Sequence, residues 1–227
     1  GWLICVVTQL DDKSWGAWNK PQTNVAAALA YMVANYRVDP DRIYAIGWSM
    51  SGGSMASFPA RHLDPAKPMI AAVVVNAGAM DLVDTYEHEV PSVQTLMQNV
   101  TLFEGPPSQL AFHFNYERTE TVYTSSTTGA IDPLRSQMRN LLQLPIYHVW
   151  SSDDDIPYLP LQNLQFDQYL QAKGANLTKQ VFSNLIDPHS WDLLDPVATL
   201  NWCQQYTVNR HPLRFQLNAD RSDVFYW

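Results

Sequence analysis

Ile43-Tyr44-Ala45-Ile46-Gly47-Trp48-Ser49-Met50-Ser51-Gly52-Gly53 is the stretch on which the reading of the fold turns. Ile43 to Ile46 predicts a strand that ends on Gly47, and a helix is expected to begin near Ser51 and run to Arg61. A serine in a sharp turn between strand and helix has its oxygen projected clear of the backbone. Small residues two before and two after it let strand and helix approach each other. Gly47 and Ser51 occupy those places around Ser49. Ser51 stands where glycine is the commoner choice, which leaves open a second register centred on Ser51. Gly47 directly after the strand favours Ser49. Taken alone, the stretch also reads as a Gly/Ser-rich loop without chemistry.

The flanking sequence alternates single strands with helices. Leu3 to Val7 reads as a buried strand and Asp11 to Thr23 as a loop. Val25, Leu29, Met32, Val33 and Tyr36 recur at helical spacing until Val38-Asp39-Pro40-Asp41 stops the helix. Ile70 to Val75 and Pro145 to Trp150 are further strands. Leu161 to Lys173 is a helix closed by Gly174, Leu177 to Ser183 the last strand, and Thr199 to Val208 a helix. This alternation predicts an α/β fold: a mostly parallel sheet with helices on both faces. The chain reads as a single domain over 1–227, with an irregular insertion at about 81–140.

With 227 residues and 46% hydrophobic content, the chain can bury a substantial core. A formal net charge of -8 repels a phosphate backbone or an anionic membrane, so neither nucleic acid nor a membrane is an expected partner. No apolar run approaches the roughly 20 residues needed to span a bilayer. Gly1 to Val7 has neither the basic start nor the cleavage site of a secretory signal. Low Lys, many Gln, Asn, Trp and Tyr and the acidic balance lean towards a secreted or periplasmic setting. Cys5 and Cys203 are expected as free thiols, with a disulfide as the alternative.

Asp39 to Gly53 resembles the nucleophile segment of the polyhydroxybutyrate depolymerase, feruloyl esterase and acetylxylan esterase group of α/β-hydrolases. Gly1 to Gln9 resembles the strand two elements earlier, and the similarity extends through His189. The resemblance implies a Ser–Asp–His order along the chain. His148 to Tyr158 resembles the family's acid loop, in which an Asp follows a strand and precedes a Pro by four residues. That spacing selects Asp153, with Asp154 and Asp155 as alternatives; a solvated turn or a calcium loop would account for the same run. Asn184-Leu185-Ile186-Asp187-Pro188-His189-Ser190-Trp191 resembles the histidine loop, with His189 as base and Trp191 placed to shield it. His62, His88, His113 and His211 show no metal-ligand spacing, and His148 reads as a packed residue.

The implied activity is cleavage of carboxylic esters, with polyester, feruloyl and acetyl esters undistinguished and no metal or organic cofactor. The first oxyanion donor would be the backbone N–H of Met50. Trp48 and Trp191 are the expected substrate-binding residues. Tyr86, Phe103, Phe112, Phe114, Tyr116 and Tyr123 would line a cap over a cleft for a polymeric or aromatic ester, or equally form the core of an inserted subdomain. The family's first strands, which precede the segment like Gly1 to Gln9, have no counterpart here. The sheet is therefore expected to be completed by a second polypeptide segment. A prolyl-oligopeptidase-like peptidase shares the triad order, and a non-catalytic module retaining the turn is the reading from another class. Pro212 to Leu217 reads as a terminal strand.

Overall fold

The computed structural model describes residues 1–7, 19–97, 124–125, 129–130 and 137–211. Its centre is a run of three parallel strand pairings. β1 (Tyr44–Trp48) pairs with β2 (Ala72–Asn76), β2 with β5 (Ile146–Ser151), and β5 with β6 (Leu177–Phe182). The intervening β3 (Thr124–Ser125) and β4 (Gly129–Ala130) form a separate two-residue antiparallel ladder. All four sheet strands point the same way, so their C-terminal ends lie along one rim.

Alternation along β2 explains why helices cover both faces. Val73 and Val75 pack with Ile146, with Ala56 and Phe58 of α2 (Met50–Arg61) and with Phe166 and Leu170 of α5 (Leu159–Ala172). Val25 of α1 (Asn19–Asn35) joins the same cluster. Ala72 and Val74 point the other way, onto Tyr147, Val149 and the Trp202 and Cys203 side chains of α6 (Pro196–Cys203). A β2 buried along its whole length has to be apolar on both faces, as Ala72-Val73-Val74-Val75 is.

The helices begin earlier than their apolar periodicity suggests. α1 starts at Asn19 rather than after Thr23, with Pro21 in its first turn, where a missing N–H breaks no helical bond. β1 runs through Trp48, so Gly47 lies within the strand and not after it. Leu3 to Val7 departs from expectation altogether. It forms no strand, and Leu3, Ile4 and Val6 are exposed. Strand-forming side chains give a strand only beside a partner. The outer edge of β1 has no strand partner among the described residues. Trp2 instead sets its ring against Tyr44. Cys5 and Cys203 are both free thiols, and burial pushes Cys203 up to about 12.

After β2 the chain enters two short helices, α3 (Leu82–His88) and α4 (Pro91–Leu96). Tyr86 belongs to the main core. Phe103, Phe112, Phe114, Tyr116, Tyr123 and the segment Pro212 to Leu217 lie outside the described residues. No helix among the described residues is long and apolar enough to cross a membrane.

His148 is fully buried within β5, as a packed residue should be, but it is not apolar in its contacts. Its Nδ1 lies 2.7 Å from Asp167 Oδ1 and its Nε2 2.7 Å from Asn163 Oδ1, both on α5. Trp150 Nε1 donates to the other Asp167 oxygen. Asn163 Nδ2 donates in turn to the carbonyl of Gly78, just beyond β2. This polar seam fixes α5 against the sheet and reaches the rim where β2 ends.

Close backbone approach sets the second constraint. A Cβ on Gly53 would lie 2.1 Å from the carbonyl oxygen of Ala79. We expect Gly53→Ala to lose about 1–3 kcal/mol of stability, since backbone must move to admit the methyl; denaturant unfolding measures it. Acid should expose another buried group. Burial lowers His62, at the end of α2, to about 4 from its ordinary 6.5. The unfolded chain therefore binds a proton that the folded chain refuses between those values. Stability should fall by up to about 3 kcal/mol as pH drops from about 6.5 to about 4, then level off. Thermal melts of the native chain against His62→Phe should show that component of the slope vanish.

Candidate active site

Ser49 occupies a one-residue turn between the last residue of β1 and the first of α2. Its backbone sits at φ 55° and ψ -126°, a conformation that costs a non-glycine residue on the order of 1–3 kcal/mol. Three backbone hydrogen bonds hold it there. The Ser49 N–H donates to Asn76 O at 2.9 Å, and the Ser49 carbonyl accepts from Gly52 N–H and Ala79 N–H. Gly47 permits the fold-back, because a Cβ there would meet the Ser51 carbonyl oxygen at 2.1 Å.

The two registers left open by the sequence separate here. Ser51 Oγ accepts from the Trp48 N–H at 3.0 Å and donates to the Trp48 carbonyl at 2.7 Å, so its hydroxyl braces the turn. Ser49 Oγ lies 2.8 Å from Nε2 of His189. Met50 is the first helical residue of α2, where the N–H has no intrahelical acceptor and the helix dipole is positive.

His189 lies in the loop after β6, and its Nδ1 is 2.8 Å from Asp154 Oδ2. Asp154 therefore takes the place that the four-residue spacing assigns to Asp153. The Asp154 side chain is 2% exposed, and its other oxygen accepts from the Ile156 N–H at 2.9 Å. Asp153 points away. Its Oδ1 accepts from the Ser151 hydroxyl and its Oδ2 from the Asn184 N–H at 2.7 Å. The Ser151 hydrogen bond is the largest influence holding the Asp153 carboxyl below its ordinary range. The physical reason for the difference is register. β5 continues through Ser151, and the turn after it sends successive carboxylates in different directions.

The aromatic ring against His189 is that of Trp48, with centroids 5.1 Å apart. Trp191, expected as a shield, is 45% exposed at the end of the histidine loop. Asn76 is the residue that sequence reasoning missed. It ends β2 fully buried, and Nδ2 donates to the carbonyls of Ser190 at 3.0 Å and Trp191 at 3.2 Å. Its only signal in the sequence is a polar residue closing an otherwise apolar strand.

Asp154, Asp155 and His189 also offer ligand atoms within 4.8 Å of one another. Asp154 and His189 are already in contact at 2.8 Å, and a cation drawing on that oxygen or nitrogen would compete with it.

A serine follows the first of these strands, a carboxylate the third and a histidine the fourth, along the C-terminal rim of a parallel sheet covered on both faces. The fold is that of the α/β-hydrolases. No family model matches the chain, and no curated protein matches its sequence. Solved structures resemble it at low identity. A ferulic acid esterase is 18% identical with a TM-score of 0.49, over 87% of this chain and 62% of that one. A thermostable esterase is 16% identical with a TM-score of 0.48, over 84% of this chain and 38% of that one. A puromycin-hydrolyzing peptidase of Mycobacterium tuberculosis is 19% identical with a TM-score of 0.48, over 75% and 22%. The chain thus spans less than two thirds of the length of each.

The two aspartates give a direct comparison. Asp154→Ala should cut the rate of covalent labelling at Ser49 by about 10³–10⁴-fold, the scale expected when a histidine loses its orienting carboxylate. Asp153→Ala, which removes the contacts to the Ser151 hydroxyl and the Asn184 N–H but none to His189, should cost less than about tenfold. Stopped-flow labelling with a fluorophosphonate checks both; the reverse ranking would restore Asp153.

Proposed function

We propose that this α/β-hydrolase chain is a serine hydrolase acting on carboxylic esters through an acyl-enzyme. The observation that carries the proposal is the continuous hydrogen-bonded path from Ser49 Oγ through His189 to Asp154, with both links at 2.8 Å. A hydroxyl alone is a poor nucleophile at neutral pH; an imidazole within hydrogen-bond reach removes its proton as the bond to carbon forms. Ser49 Oγ attacks the ester carbonyl carbon while His189 Nε2 takes the proton. Asp154 holds the Nδ1–H and balances the imidazolium charge. The Met50 N–H donates a hydrogen bond to the carbonyl oxygen as negative charge develops on it.

Collapse of the tetrahedral intermediate expels the alcohol, which takes the proton from His189. Water then repeats the sequence in the opposite sense and frees the acid and Ser49. Trp48 bounds the site on the histidine side and Trp191 is exposed at its margin, which suits an apolar or aromatic acyl group. The same triad order serves peptide bonds, so substrate preference is read by assay. Turnover of p-nitrophenyl esters without cleavage of a peptide panel supports the esterase; the converse assigns a peptidase. A fluorophosphonate should label Ser49, identified by peptide mapping, and Ser49→Ala should abolish labelling. An unlabelled, folded native chain would sink the proposal and favour a binding module.

A further inference from the structure

We propose that Asn76 is a positioning residue that ties the nucleophile to the base, an inference that rests on the function proposed above. Its backbone and side chain face different parts of the site. The Asn76 carbonyl accepts the Ser49 N–H at 2.9 Å, one of the bonds that hold the strained turn. Its Nδ2 reaches the histidine loop and donates to the carbonyls of both residues that follow His189, Ser190 and Trp191. One rigid residue at the end of a central strand therefore spaces Ser49 from the loop that carries His189.

The orientation of the amide is fixed by its neighbours. Turned over, it would set Oδ1 against two carbonyl oxygens, none of which can donate. In the observed orientation Oδ1 is buried with no hydrogen-bond partner among the described residues. An amide serving packing alone would be a poor choice there, because an unsatisfied acceptor costs about 1–3 kcal/mol and an aliphatic side chain would not incur it. Its register partners on the neighbouring strands are Trp48 and Val149. The ring of Trp48 in turn lies against His189. Asn76 thus supports the base through the loop backbone on one side and through its strand neighbour on the other.

The test uses Asn76→Leu, which keeps the branched shape at a somewhat larger volume and removes the donor. The variant should fold, with a melting temperature lowered by the two carbonyls left without this donor, at Ser190 and Trp191. Its kcat for a p-nitrophenyl ester should fall by about tenfold to a hundredfold with KM little changed, since a base displaced by a fraction of an ångström affects attack and not binding. The downfield proton NMR signal of the His189–Asp154 hydrogen bond should weaken in parallel. Asn140→Ala serves as the control: it removes another buried amide, whose Nδ2 donates to Ala60 O away from the site, and should leave kcat unchanged. If Asn76→Leu does not fold, Asn76→Ser, too short to reach both carbonyls, carries the same expectation. Native-like kcat and an unchanged downfield signal in the folded variant would overturn the role of Asn76. So would an equal loss in Asn140→Ala. Failure of the native chain to label at Ser49 would instead remove the proposed function itself.

Discussion

The backbone of Ser49 is held where an L-residue seldom rests, and the remainder of the site depends on that one constraint. A positive φ reverses the chain within a single residue, so β1 passes into α2 without a loop. That reversal is feasible only because Gly47, Gly52 and Gly53 present no side chain to the backbone opposite. The strain is local, and the bonds from Asn76, Gly52 and Ala79 that oppose it are buried beneath a helix with almost no exposed surface. The energy of the core is in this sense spent on holding one hydroxyl still.

The rim repeats the device. Among the described residues, the non-glycine residues with positive φ are Ser49 after β1, Ala77 after β2 and Asn184 after β6. Each marks a place where the chain leaves the sheet sharply, near the site. Ala77 donates to the Val149 carbonyl of β5, and Asn184 donates to Asp153 in the acid loop. Beneath them, α5 supplies the floor: Gln162 accepts the N–H groups of Met80 and Asp81, and Asn163 donates to Gly78. Asp153 is then a brace between two loops, and Asp154 the carboxylate that faces the imidazole.

Much of this was legible along the chain because it depends on neighbours in sequence. The apolar run of β2, the helical spacing of Val25, Leu29 and Val33, and the Gly47 to Gly53 cluster each report a local requirement: burial on two faces, burial on one, close approach. The choice between Asp153 and Asp154 is of another kind. Both carboxylates fit any spacing rule to within one residue, and the end of β5 at Ser151 decides which of them turns inwards. Leu3 to Val7 failed for a related reason, since strand propensity is fulfilled only by a ladder partner and none pairs with this segment among the described residues. Asn76 offered no signal beyond its polarity.

The sequence by itself determined the alternation of strand and helix, the parallel sheet, and the serine and histidine that meet, because periodicity, small residues and chain order are properties of the chain. Tertiary structure alone decided which aspartate meets His189, which tryptophan covers it, and that Asn76 joins the loop to the turn. Those outcomes depend on the direction of side chains leaving sharp turns and on contacts between residues more than a hundred positions apart, as Asn76 and Ser190 are. A one-residue shift in where a strand ends is small in sequence and reverses which way a carboxylate points.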